Sequence, residues 1–99
     1  MIFEIAHIAI KQDMSLAFED GVRRAAGLFK SAEGCTSFRL ERGIEEPLNY
    51  LLIVGWRSVD DHMLTFRASD AFAQWRALVG SCFAEPPQVR HVETVVDAF

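Results

Sequence analysis

The sequence is short of the residues that most specialised chemistries require. Its two cysteines, Cys35 and Cys82, lie far apart and form no CxxC pair. Neither a zinc cage nor a dense disulfide framework is indicated, and two reduced thiols are expected. The serines Ser31, Ser37, Ser58, Ser69 and Ser81 sit in no GxSxG context, and no Gly-rich phosphate loop is present; a serine hydrolase or a nucleotide-phosphate site is not suggested. No apolar stretch approaches the ~20 residues of a membrane span. Positive charge is sparse: 14 acidic residues outnumber 10 basic ones for a net charge of −4, and Arg23-Arg24 is the only adjacent basic pair. Nucleic acid and anionic membrane are therefore poor partners. The first residues hold Glu4 inside an apolar run with no basic segment before it, unlike a secretion signal, so a cytoplasmic location is the expectation. There are no repeats, low-complexity tracts or linkers, and residues 1–99 read as a single domain.

What is present is apolar patterning, with 51% hydrophobic residues. Ile2 to Ile10 is rich in β-branched residues and reads as a strand, apolar at both odd and even positions. Phe18, Val22, Ala25 and Phe29 recur at helical spacing, predicting a helix over Met14 to Ala32 with Gly34 as its terminating glycine. Thr36 to Ile44 and Asn49 to Trp56 read as strands joined through a Gly43 to Pro47 loop. Ser58 followed by Asp61 opens a second helix at Val59, and Ser69-Asp70 repeats the signal, so that helix is expected to bend near Ala68. It resumes at Asp70 and buries Phe72, Trp75, Leu78, Val79 and Cys82. Pro86-Pro87 stops it, and Gln88 to Val96 reads as a final strand. The order βαββαβ is that of the ferredoxin-like α+β fold: a four-stranded antiparallel sheet with two helices on one face. The other face would expose strand one and Tyr50 to Trp56 to water. Covering it with a second copy, as a homodimer, is the economical solution.

Val54-Gly55-Trp56-Arg57-Ser58, Asp61-His62, Phe66-Arg67, Phe72, Trp75-Arg76 and Pro86-Pro87-Gln88-Val89-Arg90-His91-Val92-Glu93 together resemble the antibiotic biosynthesis monooxygenase family. The opening strand and Ala32-Glu33-Gly34-Cys35 agree with it, so the resemblance extends over nearly the whole chain. It implies a dimeric α+β barrel with a pocket between sheet and helices in each subunit. There an electron-rich aromatic substrate (a phenol, quinol or polyketide-like ring) is oxidised by O₂ with no flavin, haem or metal, so no cofactor is expected. Such an enzyme needs a base, an anion-stabilising donor and aromatic walls. Members that make polyketide quinones carry asparagine, tryptophan and tyrosine where this chain has Leu52, Trp56 and His62. The haem-degrading branch carries asparagine, tryptophan and a ligating histidine where this chain has His7, Phe66 and Arg76, so haem degradation is not expected.

By this reading His62 is the first candidate base: it shares a helix face with Phe66 and follows Trp56. An exposed first-turn histidine is the alternative. His7 is the second candidate, placed on the odd face of strand one where helices and pocket are expected; a hydrogen-bonded buried histidine is the alternative. Trp56, Phe66, Arg67 and Trp75 are candidate substrate-binding residues. Trp75 is equally a core residue, and Arg67 and Arg76 are either anion stabilisers or surface partners of Asp70 and Asp61. His91 is expected to pair with Glu93 or to meet a partner subunit. The three histidines show no metal-ligand spacing. A cofactor-independent monooxygenase and a non-catalytic dimeric domain that binds an apolar metabolite share this fold, and the polar groups inside the pocket separate them.

Overall fold

The computed structural model describes all of residues 1–99. Strand β1 (Ile2–Ala9) is followed by helix α1 (Ser15–Lys30), strands β2 (Cys35–Arg42) and β3 (Asn49–Trp56), helix α2 (Asp70–Val79) and strand β4 (Gln88–Glu93). A π-helical segment, Asp61–Phe66, precedes α2, and a short 3₁₀ turn, Gly80–Cys82, follows it. The sheet order is β2-β3-β1-β4 with every pairing antiparallel. This is the expected ferredoxin-like α+β fold, with an open sheet in the single chain. No helix is long and apolar enough to cross a membrane.

Strand pairing decides which side chains meet the helices. Glu4 lies opposite Val54 on one side and His91 on the other, and Ala6 lies opposite Leu52 and Val89. Because side chains alternate along a strand, the even positions of β1 and β3 share one face. Ala6, Ile8, Ile10, Tyr50, Leu52, Val54 and Trp56 are buried there under Phe18, Val22, Ala25 and Phe29 of α1 and Trp75 and Val79 of α2. The odd positions, Phe3, Ile5, His7, Leu51 and Ile53, occupy the opposite, uncovered face. The expectation that the odd face of β1 meets the helices is thus corrected. With both faces of the strand mostly apolar, alternation alone could not orient it.

Element ends differ from expectation for physical reasons. Strand β4 stops at Glu93 rather than Val96 because Ile2, the first residue of β1, is the partner of Glu93 and leaves nothing further to pair. Strand β2 stops at Arg42, where the Gly43 N–H bonds the Asn49 carbonyl and closes the loop. The second helix does break after Phe66, as the repeated cap signal implied: the Ser69 hydroxyl accepts the Phe72 N–H and bonds the Phe66 carbonyl, ending one segment while starting the next. Two glycines are required by contact. Gly34 has φ of +79°, and a Cβ on it would collide with the Asp61 carboxylate. At Gly21 a Cβ would stand 2.9 Å from the Leu78 carbonyl oxygen, so its absence lets α1 and α2 cross closely.

Candidate active site

The π-helical segment is built from its first residue inward. The Ser58 hydroxyl accepts the Asp61 N–H at 3.1 Å, a cap on its first turn. Asp61 takes two hydrogen bonds from the Arg57 guanidinium, both at 2.9 Å. This bidentate pair holds the Asp61 carboxyl below the usual carboxylate range. The Arg57 N–H also bonds the Gly34 carbonyl at 2.7 Å, tying the segment to the start of β2. From this clamp the chain turns with the wide π pitch: the Arg67 N–H reaches back to the His62 carbonyl, five residues earlier, at 3.1 Å. His62 and Phe66 are both turned into the protein, exposed by only 2% and 3%.

His62 enters a chain of polar contacts beneath the helices. The indole N–H of Trp56 donates to Glu4 Oε1 at 3.0 Å. The same oxygen lies 3.2 Å from His62 Nε2, and His62 Nδ1 lies 2.8 Å from His91 Nε2. The Trp56 and His62 rings stack with centroids 5.2 Å apart. Burial dominates the charge state of this chain. Removal from water pushes Glu4 up to about 7, against smaller opposing effects of the Trp56 hydrogen bond and the Arg67 charge. Burial, then His91 and then Arg67, pushes His62 down to about 4. Burial, followed by the Arg67 charge, also lowers His91. At neutral pH the Glu4–His62 contact is consequently one between a carboxyl group and a neutral imidazole rather than an ion pair, and Glu4 is poised to gain or lose a proton.

Beside this chain lies a cavity of about 560 Å³ between sheet and helices. Glu4, His62, Phe66, Arg67, Trp75 and Phe72 are among the residues lining it, with Pro86 and Pro87 also at its wall. Trp75 is packed edge-on against Phe29, centroids 5.3 Å apart, and is at once core and wall. The Arg67 guanidinium rests 5.6 Å from the centre of the Phe72 ring, and Arg76 reaches the same cavity. Neither arginine forms an ion pair with Asp70 or Asp61; Asp61 is taken by Arg57.

Of the residues singled out from sequence, the structure therefore gathers His62, Phe66, Arg67 and Trp75 around one cavity. Trp56 is fully buried behind His62; it meets the cavity only through the imidazole it stacks on and the carboxylate it bonds. His7 is on the open face of the sheet, exposed, and borders a separate groove with Glu41, Glu46 and Gln88. His91 turns to His62 rather than to Glu93, since β4 places it opposite Glu4 on the helix side. Sequence reasoning passed over Glu4. Its signal was a lone carboxylate at an even position of an apolar strand, the positions whose neighbours proved to be the core. Such a group is buried only when partnered, and its partners lie at the far end of β3 and in the second half of the chain.

The antibiotic biosynthesis monooxygenase family model matches residues 1–78. An uncharacterised Bacillus subtilis protein, YczJ, is 34% identical over 95 residues, which are 96% of this chain and 100% of that protein. A solved structure from Bordetella bronchiseptica, assigned to the antibiotic biosynthesis monooxygenases, is 49% identical with a TM-score of 0.95, covering 96% of this chain and 97% of its own. A variant of SnoaB, a cofactor-independent oxygenase from Streptomyces nogalater, has a TM-score of 0.82 at 14% identity over 98% of this chain and 95% of its own, a likeness of fold alone.

Proposed function

Given that the chain belongs to the antibiotic biosynthesis monooxygenase family, we propose that it is a cofactor-independent monooxygenase that oxidises a small phenol, quinol or polyketide-like aromatic with O₂. The observation that carries this reading is the buried Glu4–His62 pair at the wall of an aromatic cavity. A domain that only bound an apolar metabolite would need apolar walls, whereas a carboxyl held near neutrality costs stability and suits proton transfer. In an anthrone-type ring the reacting CH₂ becomes C=O and the second oxygen atom leaves as water, so the substrate supplies all the electrons. Glu4, supported by His62, takes the first proton from the substrate. The Arg67 guanidinium offers charge-assisted hydrogen bonds to the resulting anion. Phe66, Phe72 and Trp75 flank the ring and keep water from the electron-rich anion.

The same proposal includes a homodimer. Phe3, Ile5, Leu51 and Ile53 form an uncovered apolar patch on the open face, and a second sheet packed there would remove it from water. The test of function is oxygen uptake by purified protein against a panel of anthrones and quinols, with formation of the corresponding ketone or quinone product. Uptake that is saturable and lost in Glu4→Gln is the expected result. Binding of these compounds without oxygen consumption would favour the non-catalytic reading.

A further inference from the structure

A base that lies under two helices must dispose of the proton it collects, and the cavity that excludes water from the substrate also excludes the water that would carry it off. The contacts beyond Glu4 supply a route. His62 bridges Glu4 and His91 with its two ring nitrogens, at 3.2 Å and 2.8 Å. His62 is 2% exposed, so it has no exchange with solvent of its own. His91 sits on the edge strand β4 and is only partly buried. The Trp56 hydrogen bond and the His62 contact both fall on Glu4 Oε1, which leaves Oε2 for a ligand. We propose that Glu4, His62 and His91 form a proton relay, with His91 the exit to solvent and a positioning residue for the tautomer of His62.

The contacts allow the two imidazoles two arrangements. When Glu4 is ionised, Oε1 must accept from His62 Nε2–H, so His62 Nδ1 accepts from His91 Nε2–H. When Glu4 carries a proton on Oε1, that proton points at His62 Nε2, so His62 holds its own on Nδ1 and donates it to His91 Nε2, and His91 holds its proton on Nδ1. Discharge runs from the second arrangement. The acidic bond of the substrate, O–H in a phenol or quinol and C–H in an anthrone, breaks as Oε2–H forms; Oε1–H passes to His62 Nε2, His62 Nδ1–H passes to His91 Nε2, and His91 Nδ1–H passes to water. Run in reverse, the same steps carry a proton from water back through His91 and His62 to the reduced oxygen that leaves as water, so the cycle ends in the arrangement it began from, and no imidazolium persists. That suits the low proton affinity of His62 in its buried place. The charged and titratable groups around His91 are Glu4 from β1, His62 from the π-helical segment, Arg67 just after it, and Glu93 on the same strand. Arg67 opposes a standing charge on either ring.

The inference rests on Glu4 being the base, but its decisive test needs no turnover. Protein labelled with ¹⁵N in its histidines and ¹³C in its glutamate carboxyls is titrated from pH 5 to 9 by NMR. His62 and His91 are expected to exchange Nδ1–H for Nε2–H together, at the midpoint where the Glu4 carboxyl signal titrates. In His91→Gln, whose amide can donate to His62 Nδ1 but cannot relay, His62 should stay Nε2–H throughout. Imidazole tautomers that do not change while Glu4 titrates would overturn the relay. As a second arm, oxygen uptake with anthrone as the probe should fall about tenfold in His91→Gln and recover with added imidazole, a modest share of what positioned acid–base groups supply. A loss that imidazole leaves unchanged would count against the exit role. Absence of uptake by the unaltered protein would strike the oxygenase reading, and the NMR titration would still decide the relay.

Discussion

The two faces of the sheet carry comparable apolar content and opposite consequences. On the helix-covered face a single carboxylate, Glu4, is surrounded by core residues, accepts a hydrogen bond from Trp56 and lies 3.2 Å from His62. On the open face His7 sits in the same strand, three residues on, exposed and without a bonded partner given by the fold. The difference shows that position relative to the helices, not residue type, makes a titratable side chain useful for chemistry. Desolvation is what lifts a carboxyl toward neutrality, and only the covered face desolvates.

The largest expected effect comes from removing the packing that makes the covered face dry. Phe29 is 1% exposed and meets Phe38, Phe66 and Trp75, so Phe29→Ala should cost roughly 3–5 kcal/mol in urea denaturation. An effect below about 1 kcal/mol would mean the core closes over the gap. Next in size are the site variants. Glu4→Gln and His62→Ala should each lower anthrone or quinol turnover by about 10²-fold or more, with the fold intact by circular dichroism. On the other face Ile53→Glu should convert a dimer into an 11.2 kDa monomer in light scattering while leaving the cavity unchanged. An unaltered protein that scatters as a monomer would remove the dimer from the proposal. Exchanging His7 for alanine is expected to be the smallest change, within about 0.5 kcal/mol in stability and with turnover unaltered, as for ordinary surface substitutions.

The dependence of stability on pH sharpens the same comparison. Glu4 is raised from 4.5 to about 7, so the folded state holds its proton where the unfolded chain has lost it; its contribution falls as pH rises from 4.5 to about 7. His62 is lowered from 6.5 to about 4, so the unfolded chain holds the proton in that window; its contribution is lost as pH falls from 6.5 to about 4. The two slopes oppose each other where the windows overlap. Relative to the unaltered protein, Glu4→Gln should therefore gain stability as pH rises from 4.5 to 7, read as the shift in urea midpoint. No pH-dependent difference between the two would mean that Glu4 keeps an ordinary carboxylate affinity in the fold.

Much of this architecture was legible in the residues. The limits of β3 follow from the Asn49 to Trp56 run, and the break after Phe66 follows from Ser69-Asp70, because turn and cap chemistry is local. The cavity-lining roles of His62, Phe66 and Trp75 were legible through helical spacing and family resemblance. What escaped was what depends on non-local pairing. Which face of β1 turns inward is set by its register with β3 and β4. The end of β4 is set by the first residue of β1. Glu4 becomes part of a site only because Trp56, 52 residues later, brings an N–H to it. His91 showed its sequence neighbour Glu93 and hid its spatial one.

The π-helical turn from Asp61 to Phe66 also bears on how such a site could arise or vanish. A π turn amounts to an α-helical turn with one residue more, so a single-codon insertion separates the two backbones. Deleting an outward-facing residue of the segment, such as Leu64, would make Arg67 the fourth residue after His62, so the same N–H-to-carbonyl bond would close a turn of α pitch. The Arg57–Asp61 clamp and the His62–Arg67 bond would hold the two ends of the turn in place, while the residues between them draw in to the narrower pitch. Length variation at this one turn can thus reshape one wall of the pocket while the Glu4–His62 pair and the sheet stay as they are. It offers a small fold a way to alter the width of its cavity without a change in the sheet.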